Sequence, residues 1–451
     1  MAGELTRRTF LNAVGAGAAA LAARGMAQAP TRQPNIIFIL SDDVGIDLIG
    51  CYGSDRYRTP NIDALAEGGV RFETCHANPL CGPTRCELLT GRYPFRTGGL
   101  TNQSWNTDGG MGAKSSDEFP IARLLRQSGY ATACSGKWRQ VGETPGNWGF
   151  EEWLTDPTAG GWYWEKSYTK NGQTVELDRE AYVPEAAHQF AMDFVRRHRQ
   201  GPFFLYYPTH LVHAPIVRTP DSAADSQDFY ADMVAYLDRS VGKVVAEVDR
   251  LGLRDNTVIV FSGDNGTARQ SGTIGGRQIH GAKGSMWEGG SRVPLMANWK
   301  GVTSQGKVLQ DMVDFSDFYA TFAELAGAKL PGGLTVDGRS FAPQLRGQNG
   351  KPRDWVYVQL GKNWYVKERG WKLNQAGELY DMKDAPFEEK LVPDGAETPE
   401  AAAARKRLHA VLGQLDPAGG KTEPDRPNAS KAARKQQRIQ RKQLKKKKKK
   451  K

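Results

Sequence analysis

The chain has 451 residues, 39% of them hydrophobic, 25% charged and 51 of them Gly, which reads as a soluble globular protein with many turns and room for one large α/β core plus a smaller companion. The formal net charge of +11 belongs to the tail: residues 431–451 hold 13 Lys and Arg and no acid, which leaves the rest of the chain at −2, so no nucleic-acid partner is expected. The five cysteines, Cys51, Cys75, Cys81, Cys86 and Cys134, are odd in number and form no CxxC pair, which excludes a disulfide scaffold and a zinc ribbon.

The N-terminal stretch TRRTFLNAVGAGAAALAARGMAQAP sets Arg7 and Arg8 before a short Ala/Gly-rich apolar run and ends in Ala27-Gln28-Ala29. That is the pattern of a twin-arginine export signal over residues 1–29, not of a membrane anchor, and it predicts a periplasmic or secreted protein. NIIFIL (35–40) is a continuous apolar run that suits a buried parallel strand, and it ends in Ser41, Asp42 and Asp43. RTPNIDALAEGG predicts a helix with Thr59 as its cap, Pro60 in the first turn and Gly68-Gly69 as the stop.

In PLCGPTRCELLTG (79–91), Pro83 and Thr84 fit a first helical turn. Cys81 then stands at the helix N-terminus, where the dipole favours an anion by roughly 0.3–1 kcal/mol, and Arg85 lies one turn on, pointing back at the same place. The residues alone leave Cys81 open as a disulfide partner, a metal ligand, a thiol nucleophile or a precursor of something else, whereas Cys86 reads as packing. GGWYWEKSY (160–168) gathers aromatics in a polar insert, as a sugar-stacking platform or as a satellite hydrophobic cluster.

Further strands are expected at FFLYYP (203–208), TVIVFSGDNG (257–266) and VPLMANW (293–299), with helices over 226–251 and 314–326 between and after them. This alternation predicts an α/β fold, a large mostly parallel sheet sandwiched by helices, over residues 34–350. The short alternating segments VYVQL, NWYVKERGWKLN and GELYDM, with a helix over 399–412, predict a small C-terminal antiparallel-sheet subdomain over 351–416. Residues 417–451 read as a disordered basic tail whose charge would attract polyanions.

Two of these strands end in oxygen donors, Asp42-Asp43 and Asp264-Asn265. Ligands of open α/β sheets sit beyond the C-terminal ends of the strands, so the pairs are expected to meet. An all-oxygen set of this kind suits a hard cation such as Ca²⁺ or Mg²⁺.

With these pieces in place, the sequence resembles the formylglycine-dependent sulfatases, arylsulfatase-like members of the alkaline-phosphatase superfamily. PLCGPTRCELLTG resembles their signature, GYATACSGKW supplies Lys137, THLVHAP supplies His213, FSGDNG supplies Asp264 and Asn265, and GAKGSMWEGGSRVP supplies Lys283. The resemblance implies that a formylglycine-generating enzyme oxidises Cys81 to an aldehyde. One hydroxyl of its hydrate attacks the sulfur of a sulfate ester, and the second expels sulfate from the sulfo-enzyme. Asp42, Asp43, residue 81, Asp264 and Asn265 would hold the cation, Ca²⁺ or else Mg²⁺. Arg85, Lys137 and Lys283 would neutralise charge, His213 would protonate the leaving oxygen or hold a sulfate oxygen, and Asp264 would also act as a base.

Where the family usually has His two residues after the lysine, this chain has Arg139, which stays protonated and is no base. Arg139 is therefore expected on sulfate or substrate, His210 as a replacement proton acceptor, and His280 at the substrate subsite. The substrate implied is a sulfated carbohydrate. A phosphomonoester, phosphodiester or phosphonate hydrolase on the same fold, and a catalytically dead polyanion-binding homologue, are the rival readings.

Overall fold

The computed structural model describes residues 32–102, 112–138, 142–156, 163–268, 272–393 and 395–421. The expected signal peptide, Arg139, Trp162 and the lysine tail lie outside the described residues. No helix among the described residues is long and apolar enough to cross a membrane.

The main sheet is built from β1 (Asn35–Ser41), β2 (Val70–His76), β3 (Ala131–Gly136), β4 (Glu152–Thr155), β5 (Trp164–Lys170), β6 (Gln173–Tyr182), β7 (Phe203–Pro208) and β8 (Thr257–Gly263). After the small ribbon β9 (Thr273–Ile274) and β10 (Arg277–Gln278), β11 (Arg292–Asn298) and β12 (Lys307–Asp314) complete it. The strand order is β12-β2-β11-β8-β1-β7-β3-β4-β5-β6. Its middle, β8-β1-β7-β3-β4, is parallel throughout. β11 runs antiparallel to both neighbours, and β5–β6 form an antiparallel hairpin at one edge.

β1 shows why its apolar run is continuous. Ile36, Phe38 and Leu40 enter one core and Ile37 and Ile39 the other, so both faces are buried. The first core lies against α2 (Cys81–Thr90), α3 (Ile121–Gln127) and α6 (Asp317–Leu325); the second lies against α1 (Pro60–Glu67), α4 (Val183–His198) and α5 (Phe229–Arg250). Each such fully buried Ile or Phe contributes roughly 1.5–3 kcal/mol.

Three details differ from the sequence reading. Thr59 does not cap α1 with its side chain. Its hydroxyl accepts from Gly50 N–H (2.8 Å) and donates to Asp63 (3.0 Å), fixing the preceding loop instead. α5 starts at Phe229 because the Asp228 carboxylate accepts the Ala231 N–H at 3.1 Å. The chain up to Asp314 is strand β12, so α6 begins only at Asp317.

The C-terminal sheet has the order β13 (Val356–Leu360), β14 (Asn363–Lys367), β15 (Trp371–Asn374), β16 (Leu379–Asp381), β17 (Lys390–Leu391), all antiparallel. One face, with Val366, Leu373 and Leu379, packs on Ala401, Ala404 and Leu408 of α7 (Pro399–Leu415). Ordered structure runs past residue 417. Pro417–Gly419 form a 3-10 turn held by the Asp416 carboxylate, and the Lys421 N–H donates to Phe95 O at 2.7 Å.

Candidate active site

The C-terminal ends of β1, β3 and β8 and the N-terminus of α2 meet at one place. β1 leads into Asp42 and Asp43, β8 into Asp264 and Asn265, and β3 into Lys137. Gly136 lets β3 deliver that lysine. Its φ is +127°, and a Cβ there would stand 2.1 Å from Pro208 O, so only glycine allows the close approach in which Lys137 N–H bonds Pro208 O at 2.6 Å.

Cys81 is fully buried as the first residue of α2. Its Sγ lies 3.3 Å from Asp42 Oδ1 and 3.4 Å from both Lys137 Nζ and Lys283 Nζ. Lys137 is paired with Asp42 and Lys283 with Asp43. Arg85 does not point at residue 81 itself. Its Nε and one terminal nitrogen hold Asp264 Oδ2 at 3.0 and 2.8 Å, and the other terminal nitrogen reaches Lys137 O at 3.2 Å.

Asp264 Oδ1 accepts the Asp43 N–H at 3.1 Å, so both of its oxygens are engaged, and Asp42 Oδ1 is the carboxylate oxygen in contact with residue 81. His213 Nε2 stands 3.9 Å from Asp43 Oδ2, while Nδ1 is 2.6 Å from Ala214 O, a contact that needs the proton on Nδ1. Three carboxylates and three permanent cations balance each other, so a divalent cation would turn the site net positive toward an anion.

Burial works to raise the Asp42 carboxyl, but Lys137, His213, Lys283 and Arg85 outweigh it and hold it well below the usual carboxylate range. Asp43 goes the other way, to about 6, through burial and the charge of Asp42. Burial, with Lys137 and Lys283 adding to it against Asp42, lowers His213 to about 4. Burial, then Asp264 and Asp42, push the Cys81 thiol far up. A protonated thiol is a poor nucleophile and a poor soft-metal ligand.

Four side chains stand close enough to share an ion, two of them carboxylates that suit a hard cation. One ligand atom each of Asp42, Asp43, Cys81 and His213 lie within 4.8 Å of one another. Beside them Asn265 donates through Nδ2 to Asp43 Oδ1 (2.9 Å), while its Oδ1 is buried with no partner among the described residues, an acceptor that a cation would satisfy.

Of the expected subsite residues, His210 is not in this group. Its Nε2 faces Asp156 Oδ1 at 3.5 Å, which gives it a partner away from Cys81. Asp156 was not foreseen. It follows the end of β4 and also accepts the Trp138 N–H at 3.1 Å, so it fixes the chain next to Lys137. His280 stacks on Trp287 with ring centroids 4.4 Å apart, at the stem of the loop that carries Lys283. Tyr163, expected in a sugar platform, is only 2% exposed and its hydroxyl contacts His210 O and His213 O at 2.8 and 2.6 Å, so it supports the histidine loop. Cys86 is buried beside Thr97, as packing.

The family model described as Sulfatase matches residues 34–328, about two thirds of the chain, and so spans every one of these strand ends. The chain belongs to the sulfatase family. It is 33% identical over 359 residues to N-acetylgalactosamine-6-sulfatase of Rattus norvegicus, covering 72% of this chain and 68% of that one. It is 29% identical over 445 residues to arylsulfatase D of Homo sapiens, covering 76% and 74%. Among solved structures, Ps i-CgsB in complex with k-i-k-neocarrahexaose superimposes with a TM-score of 0.74 at 28% identity, over 85% of this sulfatase and 93% of that chain. This sulfatase is a sulfuric ester hydrolase with a group of side chains able to hold a metal.

Proposed function

We propose that this sulfatase hydrolyses a sulfate ester of a carbohydrate, using a formylglycine made from Cys81 by a maturation enzyme and a divalent cation, Ca²⁺ or Mg²⁺. The carrying observation is the placement of residue 81, buried at the start of α2 between Asp42 and two lysine ammonium groups. The carbohydrate class is supported by the relative named for N-acetylgalactosamine-6-sulfate and by the structural neighbour complexed with a neocarrahexaose.

An aldehyde hydrate at position 81 supplies an oxygen nucleophile, and a cation among Asp42, Asp43, residue 81, Asp264 and Asn265 supplies charge stabilisation for sulfate oxygens. The chain's own groups do the rest. Lys137 and Lys283 flank position 81 and hold sulfate oxygens as charge builds. Asp42 Oδ1 is the carboxylate oxygen within reach of the proton leaving that position, in place of Asp264, whose two oxygens are both engaged. Arg85 sets Asp264 and the backbone of Lys137 in place. His213 starts neutral with its proton on Nδ1 and Nε2 toward Asp43, so it must first take up a proton at Nε2, which it can then hand to the leaving oxygen or use to hold a sulfate oxygen. Arg139 would contact sulfate or substrate.

Export by the twin-arginine route is supported by Arg7, Arg8 and the run that follows, and retention on polyanions by the lysines of residues 431–451. In this reading residues 34–350 are the catalytic domain and 351–416 its smaller companion.

The test is peptide mass spectrometry across residue 81 in protein made beside the maturation enzyme, with parallel assays on aryl sulfate and aryl phosphate. Loss of the thiol in favour of an aldehyde and preference for sulfate are expected. An unmodified Cys81 without turnover overturns the proposal in favour of a binding protein, and preference for phosphate overturns it in favour of a phosphoester hydrolase.

A further inference from the structure

The turn that carries His213 is held at its middle and at its ends. At the middle, the Asp42 N–H donates to Leu211 O at 2.8 Å, the Val212 N–H donates to Asp42 O at 2.7 Å, and the Ser41 hydroxyl donates to Leu211 O at 2.8 Å. These bonds fix the turn to the end of β1. The ends, His210 and His213, are joined to each other by the His213 N–H, which donates to His210 O at 2.9 Å. Tyr163 holds both of them. Its hydroxyl lies 2.8 Å from His210 O and 2.6 Å from His213 O and shares one proton between the two carbonyls.

Tyr163 is itself fixed in place. It is buried, its ring stacks on Tyr182 with centroids 5.8 Å and planes 20° apart, and its carbonyl accepts the Val183 N–H at 2.7 Å. Burial pushes the phenol well above its ordinary range, so the hydroxyl stays a donor. The next residue, Trp164, donates from its indole nitrogen to Arg218 O at 2.8 Å, farther along the same loop. The chain entering β5 thus grips the histidine loop at two places.

The grip on His213 O reaches the imidazole by a short path. The held carbonyl belongs to the peptide between His213 and Ala214, and Nδ1 of the ring is bonded to the next carbonyl, Ala214 O, at 2.6 Å. A rotation of that peptide therefore swings the ring and moves Nε2, which stands 3.9 Å from Asp43 Oδ2. Proton transfer tolerates little displacement, because donor and acceptor must come within about 2.6–3.2 Å. We propose that Tyr163 is a positioning residue that sets His213 Nε2 on the leaving-group side of the site. The inference rests on the reading of His213 as the proton donor to the leaving oxygen and adds the group that aims it.

In Tyr163→Phe the middle of the turn keeps its bonds to Ser41 and Asp42, so the fold is expected to be kept, which circular dichroism checks. Full-length protein made beside the maturation enzyme is assayed on two aryl sulfates. Phenyl sulfate releases a phenoxide about as basic as that of tyrosine, with a pKa of about 10, and needs a proton donor; 4-nitrophenyl sulfate releases a far weaker base and needs little help. Tyr163→Phe is expected to lower kcat/KM about ten- to hundredfold on phenyl sulfate and less than about threefold on 4-nitrophenyl sulfate. His213→Ala is expected to show the same bias, and the double variant to be no slower than His213→Ala, because Tyr163 acts only through that imidazole. Wild-type rates in Tyr163→Phe, a loss without the bias that His213→Ala shows, or losses that multiply in the double variant overturn the proposal. A His213→Ala loss equal on both substrates, with the Tyr163→Phe loss absorbed in the double variant, removes protonation by His213 and keeps Tyr163 as its brace.

Discussion

A carboxylate oxygen of Glu389 accepts the backbone N–H of Glu288 at 2.6 Å, joining the C-terminal sheet to the loop that delivers Lys283. The other oxygen is paired with Lys372, and Glu288 in turn holds His76 at 3.0 Å and Lys367 at 2.7 Å. All of these groups are buried. Breaking a buried pair by removing one charge costs more than replacing both partners, about 3–5 kcal/mol against near zero. Glu389→Gln is therefore expected to lower unfolding stability by about 3–5 kcal/mol and to reduce kcat by loosening Lys283, whereas Glu389→Gln with Lys372→Met recovers most of the stability. Urea unfolding of the two single variants and the double variant decides it; losses that simply add would show that the pair is not coupled.

Arg85 carries a second prediction. Its guanidinium grips one oxygen of Asp264 with two nitrogens and a backbone carbonyl with the third, a fork that an ammonium does not reproduce. Arg85→Lys keeps the charge and loses the geometry. A fall in kcat of about 10²–10³ is expected, the range seen when one preorganised donor is removed. Steady-state assays on an aryl sulfate, with circular dichroism to confirm the fold, check it; a loss of less than about tenfold would show that charge alone suffices.

The strand-end donors were legible because β1 and β8 are uninterrupted apolar runs that stop at acids. Helical spacing brought Arg85 to the site but not its grip, which is on Asp264 and the Lys137 carbonyl and not on residue 81. Lys137 and Lys283 were legible only through family resemblance, since nothing local marks a lysine as converging on a distant cysteine. Asp156 follows the same strand-end rule as Asp42 and Asp264 but was missed, because β4 is four residues long and half its positions are only partly buried. The β5–β6 hairpin gives no strand signal for a related reason: most of its residues stay at least partly exposed, so no apolar period appears, and only the aromatics of 160–168 stand out. The Glu288–Glu389 bond joins residues 101 apart in sequence, and only the docking of two sheets creates it.

Cation binding gives a third prediction. A ligand that binds only the folded state stabilises it by about 2.7 kcal/mol at a hundred times its Kd. Ca²⁺ or Mg²⁺ added to chelator-treated protein should raise Tm and restore aryl sulfate turnover. Asn265→Ala, which removes the unpartnered Oδ1, should shift the metal titration to higher concentration and leave the fold intact. A Tm that ignores both chelator and added cation would contradict a cation site here.

The last prediction concerns acid. His76 is fully buried, and burial, with Lys367 and Arg292 adding to it against Glu288, lowers it to about 4. In the unfolded chain it titrates near 6.5, so between these values the unfolded state binds the extra proton. The stability this neutral imidazole contributes is present in full above about pH 6.5 and is lost as pH falls toward 4, with a slope of about 1.4 kcal/mol per pH unit inside that window. Glu288 is likewise held well below its ordinary range, burial being outweighed by Lys367, His76 and Arg292, so its contribution is lost only at lower pH, beneath the ordinary glutamate value. His76→Gln should destabilise the protein at pH 7 yet flatten the stability profile between pH 4 and 6.5 by one proton. Denaturant unfolding at half-unit pH steps reads that slope directly, and an unchanged slope in the variant would assign the acid limb to other groups, with His188, also lowered to about 4 by burial, the next to replace.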